Sequence, residues 1–99
     1  MRNYEVLYIV DPRIEADDLT SLNDRIAGLI TGGGGEVLEV NDWGSRRLSY
    51  SIGELREGRY LLIKFRSLPD FIRGLDRQLR LLQRVIRYTI SQQRSKDHA

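Results

Sequence analysis

Arginine is the residue type through which this chain is best equipped to do chemistry. Fourteen of its sixteen cationic residues are arginine, whose guanidinium forks two N–H groups onto a phosphate and stacks on a base, as the lysine ammonium does not. Two of them are adjacent, in the stretch GSRRLSYSI at residues 44–52, which reads as a β-strand. Successive strand residues point to opposite faces, so Arg46 and Arg47 cannot both face water if one face of the sheet is a core.

Other chemistry finds little footing. There is no cysteine, which excludes disulfides, thiolate zinc sites and thiol nucleophiles. The single histidine, His98, lies one residue from the end, where nothing orients a general base or a metal ligand. Asp17 and Asp18 are adjacent in a first helical turn and diverge around it, so they do not form a carboxylate pair. The run Gly32–Gly35 leaves a helix and enters a strand, whereas phosphate-cradling glycine loops run from strand into helix. That polarity assigns the run to a helix C-cap and linker. The expectation is a protein with no catalytic residue, no metal and no cofactor.

Charge is unevenly distributed. Through Asp42 there are three arginines (Arg2, Arg13, Arg25) against nine acids, a balance of −6, and from Trp43 onward thirteen cations against five acids, a balance of +8. A single arginine commonly belongs to a solvated face or an i,i+4 pair. A half-chain biased this way makes an acidic macromolecule the leading partner.

The elements that must position these residues are legible. NYEVLYIVD is a strand stopped by Asp11-Pro12. Leu19, Leu22, Ile26, Leu29 and Ile30 recur at helical spacing between Glu15 and Thr31. Residues 36–52 read as extended, 53–58 as a turn and RYLLIKFR as a further strand. Ser67, Leu68 and Pro69 open a second helix with proline at its preferred first position, and Leu68, Ile72, Leu75, Leu79 and Leu82 form its apolar stripe. RVIRYTIS is the last strand. The order β-α-β-β-α-β is the split-βαβ, ferredoxin-like pattern of the α+β class, a four-stranded antiparallel sheet with two helices on one face. With 99 residues the chain makes one domain over 1–92, with a short flexible tail at 93–99. MRNYEVLYIV is too short and too charged for a signal peptide and nothing approaches a membrane span, so a cytoplasmic protein is expected.

One sheet face is left without helices. In the third strand Tyr60, Leu62, Lys64 and Arg66 fall in its phase, and in the first strand Leu7 and Ile9 do, opposite Tyr4, Val6, Tyr8 and Val10. A central strand apolar on both sides suggests that something sits on the uncovered face. The order also fits small acylphosphatases and small-ligand regulatory domains. Acylphosphatases resemble the chain in fold pattern only, and acids surround Arg13 where a phosphate would sit. The third strand lacks the basic-Gly-aromatic core with which RNA-recognition domains stack bases.

Three stretches are more specific. MRNYEVLYIVDP, WGSRRLSYSI and LPDFIRGLDRQLRLLQRVIRYTI together resemble the bacterial small-subunit ribosomal protein six family over essentially the whole chain. The resemblance implies a structural constituent of the small ribosomal subunit that binds the central domain of small-subunit ribosomal RNA, as a heterodimer with small-subunit ribosomal protein eighteen, in the cytoplasm and without catalysis. The residues matching the family's basic and aromatic positions are Arg2, Tyr4, Arg46, Arg47 and Tyr50; Arg84 and Arg87 are further RNA candidates. For Tyr4 and Tyr50, core packing with the hydroxyl at the rim is the alternative. Trp43, in a strand expected at the sheet edge, and Leu7, Ile9, Tyr60 and Leu62 on the open face are the candidate protein-partner surface.

A straight strand from Glu36 to Ile52 would be about 55 Å long at roughly 3.3 Å per residue. Part of it is therefore expected to protrude, with Gly44 the site of a bend or bulge. Leu48 and Ile52 would then keep a core phase shared with Leu38 and Val40. Arg46, formally in that phase, would lie past the helix cover, while Arg47 would face the open side with Trp43, Ser49 and Ser51.

Overall fold

The computed structural model describes residues 1–93; the remainder of the expected tail, with His98, lies outside them. Six elements follow in the expected order: β1 (Arg2–Val10), α1 (Ala16–Gly32), β2 (Glu36–Ile52), β3 (Leu55–Ser67), α2 (Phe71–Arg80) and β4 (Val85–Gln92). The sheet is antiparallel throughout, in the order β2-β3-β1-β4. Gln93 is tied back to β1: its N–H donates to Asn3 O at 2.8 Å and its amide to Glu5 at 3.0 Å.

Alternation and helical periodicity meet in one core. Val6, Tyr8 and Val10 of β1 and Leu61, Ile63 and Phe65 of β3 pack with Leu22, Ile26 and Ile30 of α1 and Leu75 and Leu79 of α2. Full burial of each such side chain contributes roughly 1.5–3 kcal/mol. The Tyr8 hydroxyl bonds to Asn23 of α1, which satisfies the polar end of a wholly buried ring.

Tyr4 takes the core-packing alternative. Only 6% exposed, its ring stacks on Phe65 at 5.7 Å between centroids. It shares the core phase of Val6 and Tyr8. Leu62 departs from its expected role. It lies on the open face but is 5% exposed, because Leu7 and Asn41 flank it directly on the neighbouring strands.

Element boundaries shift in two places. The expected turn over 53–58 is only Gly53-Glu54, since Ile52 already pairs with Leu55. The second helix starts at Phe71, because β3 runs on through the buried Ser67. Leu68 therefore precedes the helix and is 60% exposed, outside the apolar stripe.

β2 differs most from a simple ribbon. Its pairing with β3 slips between Val37 and Glu39 and again between Asp42 and Gly44. Each slip inserts one extra residue, Leu38 and then Trp43, and an extra residue reverses the phase of all that follows. Gly44, as expected, lies at a bulge, with φ at +77°. Leu38 and Val40 do not enter the core; they are 47% and 48% exposed. Leu38 is the inserted residue, and Val40, opposite Ile63, sits on an outer strand at the margin of the helix layer.

The molecule is 40 Å along its longest axis, less than a straight β2 would need. The strand bends instead. Between Arg47 and Ile52 the ladder is irregular, and this distal half of the β2–β3 hairpin curls over the face without helices. A side chain at Gly58 would collide with Ile9 Cγ2 and touch Leu48, so glycine is what lets the hairpin lie down there.

Candidate nucleic-acid interface

Arg46 pairs with Gly58 and Arg47 with Glu57. Directly paired residues share a face, so Arg46 is on the open-face side and Arg47 on the other, the reverse of the expected assignment. The cause is the Trp43 bulge. The two arginines still straddle one ribbon, and both are exposed.

The curl brings the opposite edges of the sheet together. An Arg87 Nη on β4 donates to Tyr50 Oη on β2 at 3.1 Å, and its guanidinium lies 5.4 Å from the Tyr50 ring centre. Ile52 lines a cleft with Leu7, Ile9, Arg87 and Thr89. Much of what covers the uncovered face is thus the chain's own hairpin, which removes part of the surface offered to a protein partner. Leu7, Ile9 and Tyr60 remain half-buried there. Trp43 is 43% exposed on the outer strand, with the Arg46 guanidinium 5.6 Å from its ring centre. A guanidinium held against a ring is oriented while its in-plane N–H groups stay available to an acceptor.

Ion pairs divide the cations into two sets. On the proximal half of the hairpin, Glu36 meets Arg66 at 3.7 Å, Glu39 meets Lys64 at 3.4 Å, and Asp42 meets Arg59. Arg59, bonded to Asp42, holds that carboxyl below its ordinary range. Such exposed pairs contribute about 0–1 kcal/mol each, yet they commit the acids of β2 to the cations of β3. Among the described residues Arg46, Arg47, Arg56 and Arg87 form no ion pair. Sequence reasoning misses Arg56, because its stretch reads as a turn; in the two-residue hairpin it lies on a strand arm, exposed.

The remaining candidates separate. Arg84 sits in the α2–β4 connection and pairs with Asp18 of α1 at 3.3 Å. Arg2 opens β1 opposite Ser67, eight residues before Val10 and so about 26 Å from the end that carries Arg46, Arg47, Tyr50 and Arg87. Arg13 is bound by Asp11 through its Nε at 3.0 Å and an Nη at 2.7 Å. That bidentate contact lowers the Asp11 pKa to about 2 and leaves no phosphate cradle. Burial, followed by a hydrogen bond to Asp76, raises the Tyr88 pKa, so Tyr88 serves as a donor clamping β4 to α2 at 2.6 Å.

Comparison with known proteins gives a consistent picture. The family model described as ribosomal protein S6 matches residues 3–92. The small ribosomal subunit protein bS6 of Moorella thermoacetica is 40% identical over 91 residues, covering 92% of this chain and 93% of that protein. Its counterpart in Carboxydothermus hydrogenoformans is 39% identical over 90 residues, covering 91% and 94%. The crystal structure of 30S ribosomal protein S6 from Thermotoga maritima superposes with a TM-score of 0.86 at 26% identity, covering 93% of this chain and 87% of that one.

Proposed function

Because the chain belongs to the ribosomal protein S6 family, a constituent of the bacterial small ribosomal subunit in the cytoplasm, we propose that the curled end of its β2–β3 hairpin is its RNA-gripping surface. The RNA is the central domain of small-subunit ribosomal RNA, bound together with small-subunit ribosomal protein eighteen, and the role is structural, with no catalysis. One observation carries the reading: Arg46, Arg47, Arg56 and Arg87 gather at one end of the sheet without an ion pair among the described residues, while the acids of β2 are spent on β3. Arginines in this setting neutralise and fork phosphates, and Tyr50, 63% exposed, packs on ribose or bonds to phosphate, reading shape more than sequence. Trp43, on an outer strand whose backbone is open to another chain, is the anchor for protein eighteen.

The test is the salt dependence of binding to a central-domain RNA fragment in the presence of protein eighteen. Replacing Arg46 and Arg47 by alanine lowers the slope of log affinity against log salt by about one unit for each phosphate that is no longer neutralised. A folded double variant with the wild-type slope overturns the assignment. Trp43→Ala, mixed with protein eighteen alone, weakens the heterodimer.

A further inference from the structure

The outer face of α2 is built for something outside the chain. With Leu75 and Leu79 buried, the 100° step of a helix puts Arg73 and Arg77 on the opposite side, one turn apart. Both are exposed, and neither has an acidic partner within ion-pair distance among the described residues. Arg80 next to them is held by Asp76 at 2.9 Å.

Three features of this face are unfavourable in the free protein. Arg73 lies in the first turn, where the helix dipole repels a cation, and the one acid at that end is the N-cap Asp70, which makes no capping hydrogen bond. Gly74, beside it, sits mid-helix with nothing within 4 Å of where a side chain would start, although glycine there costs about 1 kcal/mol against alanine. Leu81, following the last turn on the same side, is 69% exposed. Choices that conflict with the local structure mark surfaces selected for another purpose. Meanwhile α1, the other outward helix, carries Asp17, Asp24 and the Arg84-bound Asp18 against one cation, Arg25, so the helix layer leans acidic on one side and basic on the other.

We propose that the Arg73–Arg77 face of α2 binds a second phosphate backbone, that of double-helical RNA, independently of the hairpin end. The two guanidiniums take phosphates, Gly74 lets the backbone come close, and acidic α1 sets the side on which the duplex lies. The helices pack on one face of the sheet and the hairpin curls over the other, so the two sites face different ways, although Arg80 at the end of α2 and Arg87 at the hairpin end line one cleft.

The experiment titrates the full chain with an RNA duplex of about 20 base pairs and follows backbone amide shifts by NMR. Amides of residues 73–78 and of the hairpin end move as two separate sets. Arg73→Gln/Arg77→Gln abolishes the first set, leaves the second, and lowers the salt slope at the α2 site by about two. Arg46→Gln/Arg47→Gln does the reverse. A duplex that shifts only the hairpin amides overturns the α2 proposal and leaves the hairpin reading standing; one that shifts only 73–78 supports α2 and counts against the hairpin. Equal shifts at 73–78 with poly-glutamate and none with RNA would assign the face to an acidic protein and overturn the proposal.

Discussion

Arg87 donates a hydrogen bond to Tyr50 Oη across 3.1 Å, although the two residues stand on the outermost strands of the sheet, β4 and β2. The contact exists only because the hairpin folds over the open face. Tyr50→Ala is expected to raise amide hydrogen exchange through residues 46–56 while leaving α1 and α2 protected. Tyr50→Phe, which keeps the ring under the guanidinium, falls between. Global stability changes little, because an exposed cation–π pair contributes about 0.5–1 kcal/mol. Unchanged exchange in both variants would show that the hairpin is held down elsewhere.

Gly58 supplies the second anchor of the curl. A methyl group there overlaps Ile9 Cγ2, so Gly58→Ala is expected to destabilise by about 1–3 kcal/mol in denaturant unfolding. Removing the obstruction with Ile9→Ala recovers part of that stability in a double-mutant cycle. Strictly additive effects would mean that the two positions do not meet.

Tyr4 separates packing from RNA contact. Tyr4→Ala is expected to cost about 3–5 kcal/mol, as aromatic truncations in a core do, because the ring is 6% exposed and stacked on Phe65. Tyr4→Phe preserves the packing and binds RNA as tightly as the parent. A tenfold drop in RNA affinity at unchanged stability would restore the hydroxyl as a contact.

The Asp11–Arg13 clasp has a pH signature. The Asp11 carboxyl titrates at about pH 2, below its ordinary 3.8, chiefly through its hydrogen bonds from Arg13. A depressed folded-state pKa stabilises the fold above the ordinary value, and the effect disappears as pH falls through about 2. A carboxyl-carbon NMR titration should place the Asp11 midpoint there and return it toward 3.8 in Arg13→Ala. A midpoint unmoved by that substitution would show that the clasp does not form in solution.

Much of the fold is legible in the sequence because two periodicities are strong. Alternation in Leu61, Ile63 and Phe65 and helical spacing in Leu22, Ile26 and Ile30 report burial directly, and all six are in the core. The start of α2 is misplaced by sequence because a serine two residues before a proline matches a helix-start pattern, while burial of Ser67 keeps the chain in β3. Within the candidate site, Arg46, Arg47 and Arg87 can be named from residue type alone. Arg56 escapes notice because turn residues are usually solvated.

The order of elements, the core phase of β1 and β3 and the excess of arginine past Trp43 are written in the chain, since each is a local or compositional property. The face that Arg46 and Arg47 take, and the accessibility of Tyr4 and Tyr50, depend on how the strands pair. The reason is that the Leu38 and Trp43 bulges each reverse the strand's phase, and their positions follow from β2 adapting to β3. The clasp between Tyr50 and Arg87 joins residues 37 apart in the chain, a contact that no local pattern encodes and that arises where a ribbon longer than its sheet must bend back.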